Sequence, residues 1–301
     1  MTGSIPHIGV CICTFKRPAL LERLLDALGC QETNGKFTFS VVVVDNDAAG
    51  SAREVVEASR QRAPIAIAYQ LEPRQNIALA RNRALSASEG SFHAFIDDDE
   101  CPPPKWLLTL WSALTRFDAA GVLGPVDPEF ESGAPECVKR GGFFDRPTHP
   151  TGMKLEWRQC RTGNVLFRSS ILDGLDEPFN PACLSGEDQD FFRRCIERGF
   201  EFVWCHEAGV HEFVPQSRWK RGFLVRRALF RGIFAQRNHG LQPLRLAQAV
   251  VSTPIYLLLL PFALIRGETQ FMICLFKLSY HAGRLLGLLH INPIRQPYVS
   301  S

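Results

Sequence analysis

The chain has 301 residues, 46% of them hydrophobic and 22% charged, with ten cysteines, a balance that excludes a disordered tail, a collagen-like repeat and a disulfide-stapled miniprotein. The net charge of +3 conceals an asymmetry: residues 1–200 carry 22 Lys/Arg against 27 Asp/Glu, and residues 201–301 carry 12 against 4. No acid occurs from Phe213 to Gly267, so a basic tail faces something anionic, whether phosphate, lipid headgroup or nucleic acid.

Apolar runs alternate with segments of helical period through the first half. Residues 8–14, 41–45, 65–70 and 92–97 predict strands, and 18–28, 52–62 and 77–89 predict amphipathic helices, the first opened by Pro18 where a helix tolerates proline. This βα alternation predicts an α/β fold with a mostly parallel sheet. Two strands run into acids, one into Asp45 and one into Asp97-Asp98-Asp99. Ligands of open parallel sheets bind beyond the carboxyl ends of the strands, so these carboxylates are expected at a ligand.

Three prolines at 102–104 stop any strand continuing from the aspartates. Beyond them the pattern predicts a helix at 105–117, a strand at 121–126, irregular chain to about 159, a strand at 165–167, a helix at 188–198 and a strand at 202–205. Residues 246–265 are uncharged and interrupted by Pro254 and Pro261, close to the roughly 20 residues of a membrane span. With 271–290 they predict a re-entrant hairpin, helices lying in the headgroup plane, or a buried helical pair. The scattered cysteines, without CxxC spacing, and an N-terminus lacking the regions of a secretion signal lead to the expectation of a reducing, cytoplasmic setting.

The triple aspartate carries the strongest chemical signal. Three carboxylates at a strand end repel one another unless a cation neutralises them, and hard Mg²⁺ or Mn²⁺ prefers oxygen ligands. Mg²⁺ completes its shell with phosphate oxygens, which a nucleoside diphosphate would supply. The alternative is a solvated acidic turn.

Four segments resemble family 2 glycosyltransferases in order and spacing, over about residues 8–240: 10–18 (from Val10 to Lys16-Arg17-Pro18), 41–46 (four valines, then Asp45-Asn46), 76–82 (from Asn76 to Arg81-Asn82) and 95–99, followed by Gly186-Glu187-Asp188. Residues 122–126, 161–164 and 186–192 most resemble bacterial glucosyltransferases that extend lipid-linked repeat units of succinoglycan-type exopolysaccharides. The resemblance implies a GT-A-type, Rossmann-like mixed sheet flanked by helices, with a C-terminal hydrophobic helical membrane-associating segment. It implies a catalytic domain at 1–240, with 1–110 binding the nucleotide sugar and 111–240 the acceptor, and hydrophobic, basic membrane-associating helices at 241–301.

It also implies roles for individual residues. Thr14 and Arg17 would meet the nucleotide. Asp45 would accept the imide N–H of uracil, unless it caps a helix. Arg74 and Arg81 would pair with the diphosphate, unless they are surface residues. Asp99 would be the direct ligand of a divalent metal, Mg²⁺ or Mn²⁺, with Asp97 and Asp98 reaching the ribose or the metal's waters. Asp188, at a helix start whose positive end favours its ionised form, would be the base of an inverting transfer, with Glu187 tuning it or holding the acceptor; otherwise both are ordinary helix acids. His211 would be a further metal ligand or a structural histidine, and Arg218 a diphosphate contact.

Gln216-Ser217-Arg218-Trp219 is one residue short of the Gln-x-x-Arg-Trp of processive synthases, so transfer of a single sugar is expected. The expected reaction moves glucose from a UDP-sugar to a polyprenyl-diphosphate-linked oligosaccharide at the cytoplasmic face of the inner membrane. The protein would be held there peripherally or monotopically by its polybasic stretch and would work with polysaccharide-assembly partners. Nucleic acid would explain the charge but not the adjoining apolar segments. Two rivals stand beside this reading: a transferase with another donor and a lipid or protein acceptor, and a catalytically silent, membrane-bound scaffold that binds a nucleotide sugar.

Overall fold

A computed structural model describes residues 5–183, 186–238 and 243–294. The chain divides into two compact units, residues 1–127 with 146–212, and residues 128–145 with 213–301. In chain order the elements are β1 (His7–Thr14), α1 (Pro18–Gly29), β2 (Thr38–Asp45), α2 (Arg53–Arg62), β3 (Ile67–Leu71), α3 (Ile77–Ala87), β4 (Phe92–Phe95), β5 (Glu100–Cys101) and α4 (Trp106–Phe117). There follow β6 (Gly121–Leu123), β7 (Val126–Phe130), α5 (Glu136–Lys139), β8 (Val165–Arg168), α6 (Glu187–Glu197), β9 (Phe202–Trp204) and β10 (Val210–Val214). The chain continues through α7 (Arg221–Asn238), α8 (Pro243–Ile265) and α9 (Glu268–Leu288).

The first unit is built on a seven-stranded sheet in the order β3-β2-β1-β4-β8-β6-β9. β1 pairs parallel with β2 and β4, and β2 with β3. β8 runs antiparallel to both its neighbours, and β6 and β9 are parallel. Every strand but β8 therefore points the same way, and β8 begins where the others end.

Both sheet faces are covered, which is why these strands read as continuous apolar runs. Val10, Ile12, Val41 and Val43 pack on one side with Leu21, Leu24 and Leu25 of α1 and Trp106 of α4. Cys11, Val42 and Val44 pack on the other with Ala78 and Ala84 of α3 and Phe191 and Phe192 of α6. From β1 the chain winds outward through β2 and β3, then returns to place β4 on the opposite side of β1. That reversal is a topological switch point, where the carboxyl ends of β1 and β4 open a crevice.

Two predicted strands are shorter than their apolar runs. The one expected at 92–97 stops at Phe95 because Asp97 opens a turn: its carbonyl accepts the Glu100 N–H at 3.0 Å, and its own N–H donates to the Glu100 carboxylate at 3.1 Å. The one expected at 121–126 divides into β6 and β7 at Gly124-Pro125. Pro125 has no ladder donor, and the Gly124 backbone lies so close to the Ala208 carbonyl that a Cβ would overlap it.

In the second unit α9 packs on α7 through glycines. A Cβ on Gly232 would overlap the Tyr280 carbonyl, and one on Gly283 the Leu229 carbonyl; Gly287 lies against Ile233 in the same way. Small residues four apart let backbones approach this closely. Gly283→Val is expected to force the two helices apart and destabilise the protein by about 1–3 kcal/mol. Thermal unfolding checks this, and an unchanged Tm would contradict the close crossing.

α8 is one helix of 23 residues that continues through Pro254 and Pro261, which corrects the expectation that the prolines interrupt it. Each proline removes one backbone donor, a loss tolerated in apolar helices where local adjustment re-satisfies the freed carbonyls. α8 is also not half of a buried pair. Leu244, Leu258 and Ile265 are 88%, 72% and 84% exposed, and the most apolar 18-residue window has a mean hydropathy of 1.8 and is 6% buried. At about 35 Å, α8 is long and apolar enough to cross a bilayer core of about 30 Å.

Candidate active site

The crevice beyond β1 and β4 gathers residues from several segments of the first unit. Thr14, the last residue of β1, donates its hydroxyl to Asp98 Oδ2 at 2.7 Å. Arg17, just before α1, donates from Nη1 to Asp98 Oδ1 at 3.0 Å and to Asp99 Oδ2 at 3.2 Å. Burial pushes the Asp98 carboxyl up to about 6 against the pull of Arg17, with Asp99 and Asp97 adding to the rise.

A second group meets the first from the far side. Arg81, on α3, is 8% exposed and donates to the Glu187 carboxylate at the start of α6. Its other terminal nitrogen lies 4.0 Å from Asp97 Oδ1. Burial works against the Arg81 charge, yet Glu187, Asp97 and Asp188 hold its pKa above the ordinary value. Arg81 is thus not a surface residue; it is the buried cation joining the Glu187 helix tip to the aspartate turn.

Asp188 is the second residue of α6, two after Gly186, which takes the left-handed conformation at φ 80° ahead of the helix, and its Oδ1 accepts the Gln189 N–H at 2.8 Å. Burial and then the Glu187 charge push Asp188 up to about 6, Arg81 opposing and Asp97 adding. Asp97 is raised by burial, with Arg81 opposing and Asp99 adding. The triple aspartate and the Glu187-Asp188 tip are therefore electrostatic neighbours in one crevice.

Glu100 and Arg146 join the site without a signal in the sequence pattern, and Gly163 joins it from the 161–164 segment. Glu100 is buried, and its Oε1 accepts no hydrogen bond among the described residues. Burial and Asp97 hold its pKa well above the usual carboxylate range. Arg146, from an irregular segment, lies 3.8 Å from that Oε1 and donates to Glu212 on β10. Gly163 closes the floor: a Cβ there would sit 2.8 Å from Glu100 Oε1 and 3.0 Å from Asp97 Oδ2. Only the position of Glu100 directly after the aspartates could have flagged it.

Asp45 ends β2 in register with Thr14 of β1. Asp45 is fully buried; its Oδ1 accepts the Asp47 N–H at 3.0 Å, and its Oδ2 accepts the Ala52 N–H at 2.7 Å and the Tyr69 hydroxyl at 3.2 Å, tying β2 to the start of α2. Arg74 is 72% exposed and pairs with Glu72 at 3.1 Å. His211 is exposed while its neighbour Glu212 is buried, so the two point to opposite faces of β10. His211 pairs across the ladder with Cys101, and Glu212 with Glu100. Arg218 lies buried in the second unit, on a 3₁₀ turn Gln216–Trp219.

Among the described residues no three His, Cys, Asp or Glu form a ready-made metal cluster. In kind, however, the aspartate turn suits a hard divalent ion: its donors are oxygens, Asp97 and Asp98 are held above their ordinary pKa by burial and like charge, and a buried Glu100 oxygen lacks a donor. Ionising such groups costs the fold. Asp98 and Asp188 titrate near 6 in the folded chain against an ordinary 3.8, so the stability present below pH 4 is lost as pH rises through 6. Shifting the protein in EDTA from pH 7.5 to 5.5 is expected to raise Tm by on the order of a few °C. A flat profile would mean that the carboxylates are well solvated.

A doubly covered, largely parallel sheet with acids at its switch point is the arrangement expected of a nucleotide-binding fold of the GT-A type. The chain belongs to Glycosyl transferase family 2, whose description it matches over residues 9–169, the family that the four sequence motifs resemble. The succinoglycan biosynthesis protein ExoM of Rhizobium meliloti (strain 1021) is 34% identical over 306 residues, covering 98% of this chain and 97% of that protein. The glycosyltransferase AglE of Haloferax volcanii is 24% identical over 71% of this chain and 70% of its own. Among solved structures, S. aureus TarS 1-349 in complex with UDP aligns with 96% of this chain and 93% of its own, at a TM-score of 0.55 and 15% identity. The mannosyltransferase PcManGT from Pyrobaculum calidifontis, in complex with GDP-Man and Mn²⁺, aligns with 96% of this chain and 89% of its own, at a TM-score of 0.61 and 17% identity. At such identities the two structures speak for the fold alone.

Proposed function

We propose that this glycosyltransferase moves one glucose from UDP-glucose, with inversion, onto a polyprenyl-diphosphate-linked oligosaccharide in exopolysaccharide assembly at the cytoplasmic face of the inner membrane. One observation carries the chemistry: buried Arg81 joins Glu187 to Asp97, so a helix tip able to offer a base shares a crevice with a turn able to hold a metal. The succinoglycan biosynthesis relative, similar over nearly its whole length, supports the exopolysaccharide setting.

Thr14 and Arg17 orient the nucleotide and brace Asp98. Asp45 receives the uracil imide N–H by displacing the Tyr69 hydroxyl, the longest of its three contacts, and Arg74 extends toward the diphosphate. Asp99 and Asp97 would hold Mg²⁺ or Mn²⁺, which when bound supplies charge neutralisation for the departing diphosphate. Asp188 takes the proton of the attacking hydroxyl at a carboxylate oxygen. A pKa near 6 leaves it mostly ionised at neutral pH yet basic enough to accept that proton. Glu187, neutralised by Arg81, sets this basicity.

Membranes supplied with radiolabelled nucleotide sugars test the whole reading. Label from UDP-glucose is expected in lipid-extractable oligosaccharide, and EDTA is expected to stop it. Label only from another sugar nucleotide would overturn the donor, and label only in protein would overturn the acceptor. The exposed apolar face of α8 and the cations from Lys220 to Arg245, at about 1 kcal/mol each near an anionic leaflet, support the location. Leu257→Asn, Leu258→Asn and Phe262→Asn together, at 59%, 72% and 64% exposure, are expected to move the protein into the soluble fraction. Retention in the membrane pellet would place the anchor elsewhere.

A further inference from the structure

The second unit contains a groove that none of the residues placed in the chemistry above lines. Between α8 and α9 runs a groove of about 480 Å³, with Tyr256, Leu259, Phe262, Arg266, Cys274 and Lys277 among its lining residues. The volume is that of a small-molecule site, about 300–1,000 Å³. Its walls are mostly apolar, its charged residues are Arg266 and Lys277, and no acid lines it. The nearest acid along the chain, Glu268, pairs with Arg221 at 2.7 Å.

A second observation lies behind this wall. Tyr256 stacks on His281 at 5.7 Å between ring centroids, and Arg284 follows one turn along α9. Arg284 is 2% exposed. It donates to a neutral group, Gln236 Oε1, at 2.9 Å, while its Nε and the His281 Nδ1 have no partner among the described residues. Lys277, His281 and Arg284 fall at i, i+4 and i+7, on one face of α9. A buried cation ordinarily has an anion beside it; this face carries basic groups, and among the described residues no acid forms an ion pair with Arg284, whose hydrogen bond goes to Gln236.

We propose that the α8–α9 groove holds the polyprenyl chain of the lipid-linked acceptor, with its phosphate at Arg266 and Lys277. This rests on the reading of the acceptor as a polyprenyl lipid. Hydrocarbon suits the apolar walls, and a phosphate supplies the anion that Arg266 and Lys277 lack within the groove. A neutral lipid would leave the cations unanswered, and a free nucleotide would leave the apolar walls unfilled. One groove between two helices accepts one chain, which favours a polyprenyl phosphate over a diacyl phospholipid.

The test uses the full chain in phosphatidylcholine nanodiscs, with a photoreactive polyprenyl phosphate as probe. Labelling is expected on α8 and α9 peptides, about tenfold above that by the matching unphosphorylated polyprenol. Arg266→Gln with Lys277→Gln is expected to cut labelling about tenfold, and Arg266→Lys with Lys277→Arg to keep it. Equal labelling by the polyprenol, equal competition by phosphatidylglycerol, or full labelling of the double Gln variant would each overturn the proposal. UDP binding by the same preparations separates the two readings. Lost labelling with intact UDP binding overturns the groove alone, and labelling without UDP binding overturns the catalytic reading alone.

Discussion

Asp188→Asn is expected to lower kcat by about 10²–10⁴-fold, the usual contribution of a general base, with UDP affinity nearly unchanged. Asparagine keeps the shape and can still accept the Gln189 N–H at the start of α6, but its amide takes no proton at neutral pH. In the wild type, kcat is expected to fall as pH drops through about 6, because burial and Glu187 place the Asp188 titration there. The variant should lose that limb of the profile. Single-turnover rates with saturating UDP-sugar check both points, and wild-type turnover in the variant would remove Asp188 from the chemistry.

The second large effect is on stability. Arg81→Met leaves Glu187, itself 6% exposed, as a buried carboxylate without its cation. Breaking such a pair from one side costs about 3–5 kcal/mol, equivalent to a drop in Tm on the order of 10 °C. Removing both charges, with Arg81→Met and Glu187→Leu together, should restore most of the loss, since an apolar pair of similar volume is often as stable as a buried ion pair. Urea unfolding of the two single variants and the double completes the cycle. Additive losses would show that the two side chains do not depend on each other. The double variant should remain impaired in transfer, because Asp97 and Asp188 would lose the guanidinium between them.

Asp45 illustrates how one residue answers to two requirements. A carboxylate at a strand end is equally suited to a ligand and to the backbone N–H groups that open the next helix. In the folded chain its oxygens serve the backbone, and a nucleobase would have to compete with Tyr69 for one of them. The family resemblance offered His211 as a metal ligand or a structural histidine, and the alternation of β10 turns it away from the face that carries Glu212.

What the sequence determined by itself was local or periodic: the apolar runs of β1 and β2, the proline opening α1, the aspartate turn and the uncharged span of α8. These follow from backbone propensity and side-chain alternation within a few residues, and four of the segments sufficed to name the family. The tertiary structure decided the rest. Arg81 and Glu187 are 106 residues apart, and Arg146 comes from a stretch with no regular pattern. Their meeting depends on strand order, which places β4 beside β1 and α3 against α6, and no property of either segment encodes the other's position. The prolines of α8 show the same limit from the opposite side. They are local signals for a break, overruled because helix hydrogen bonds on either side carry the helix through them.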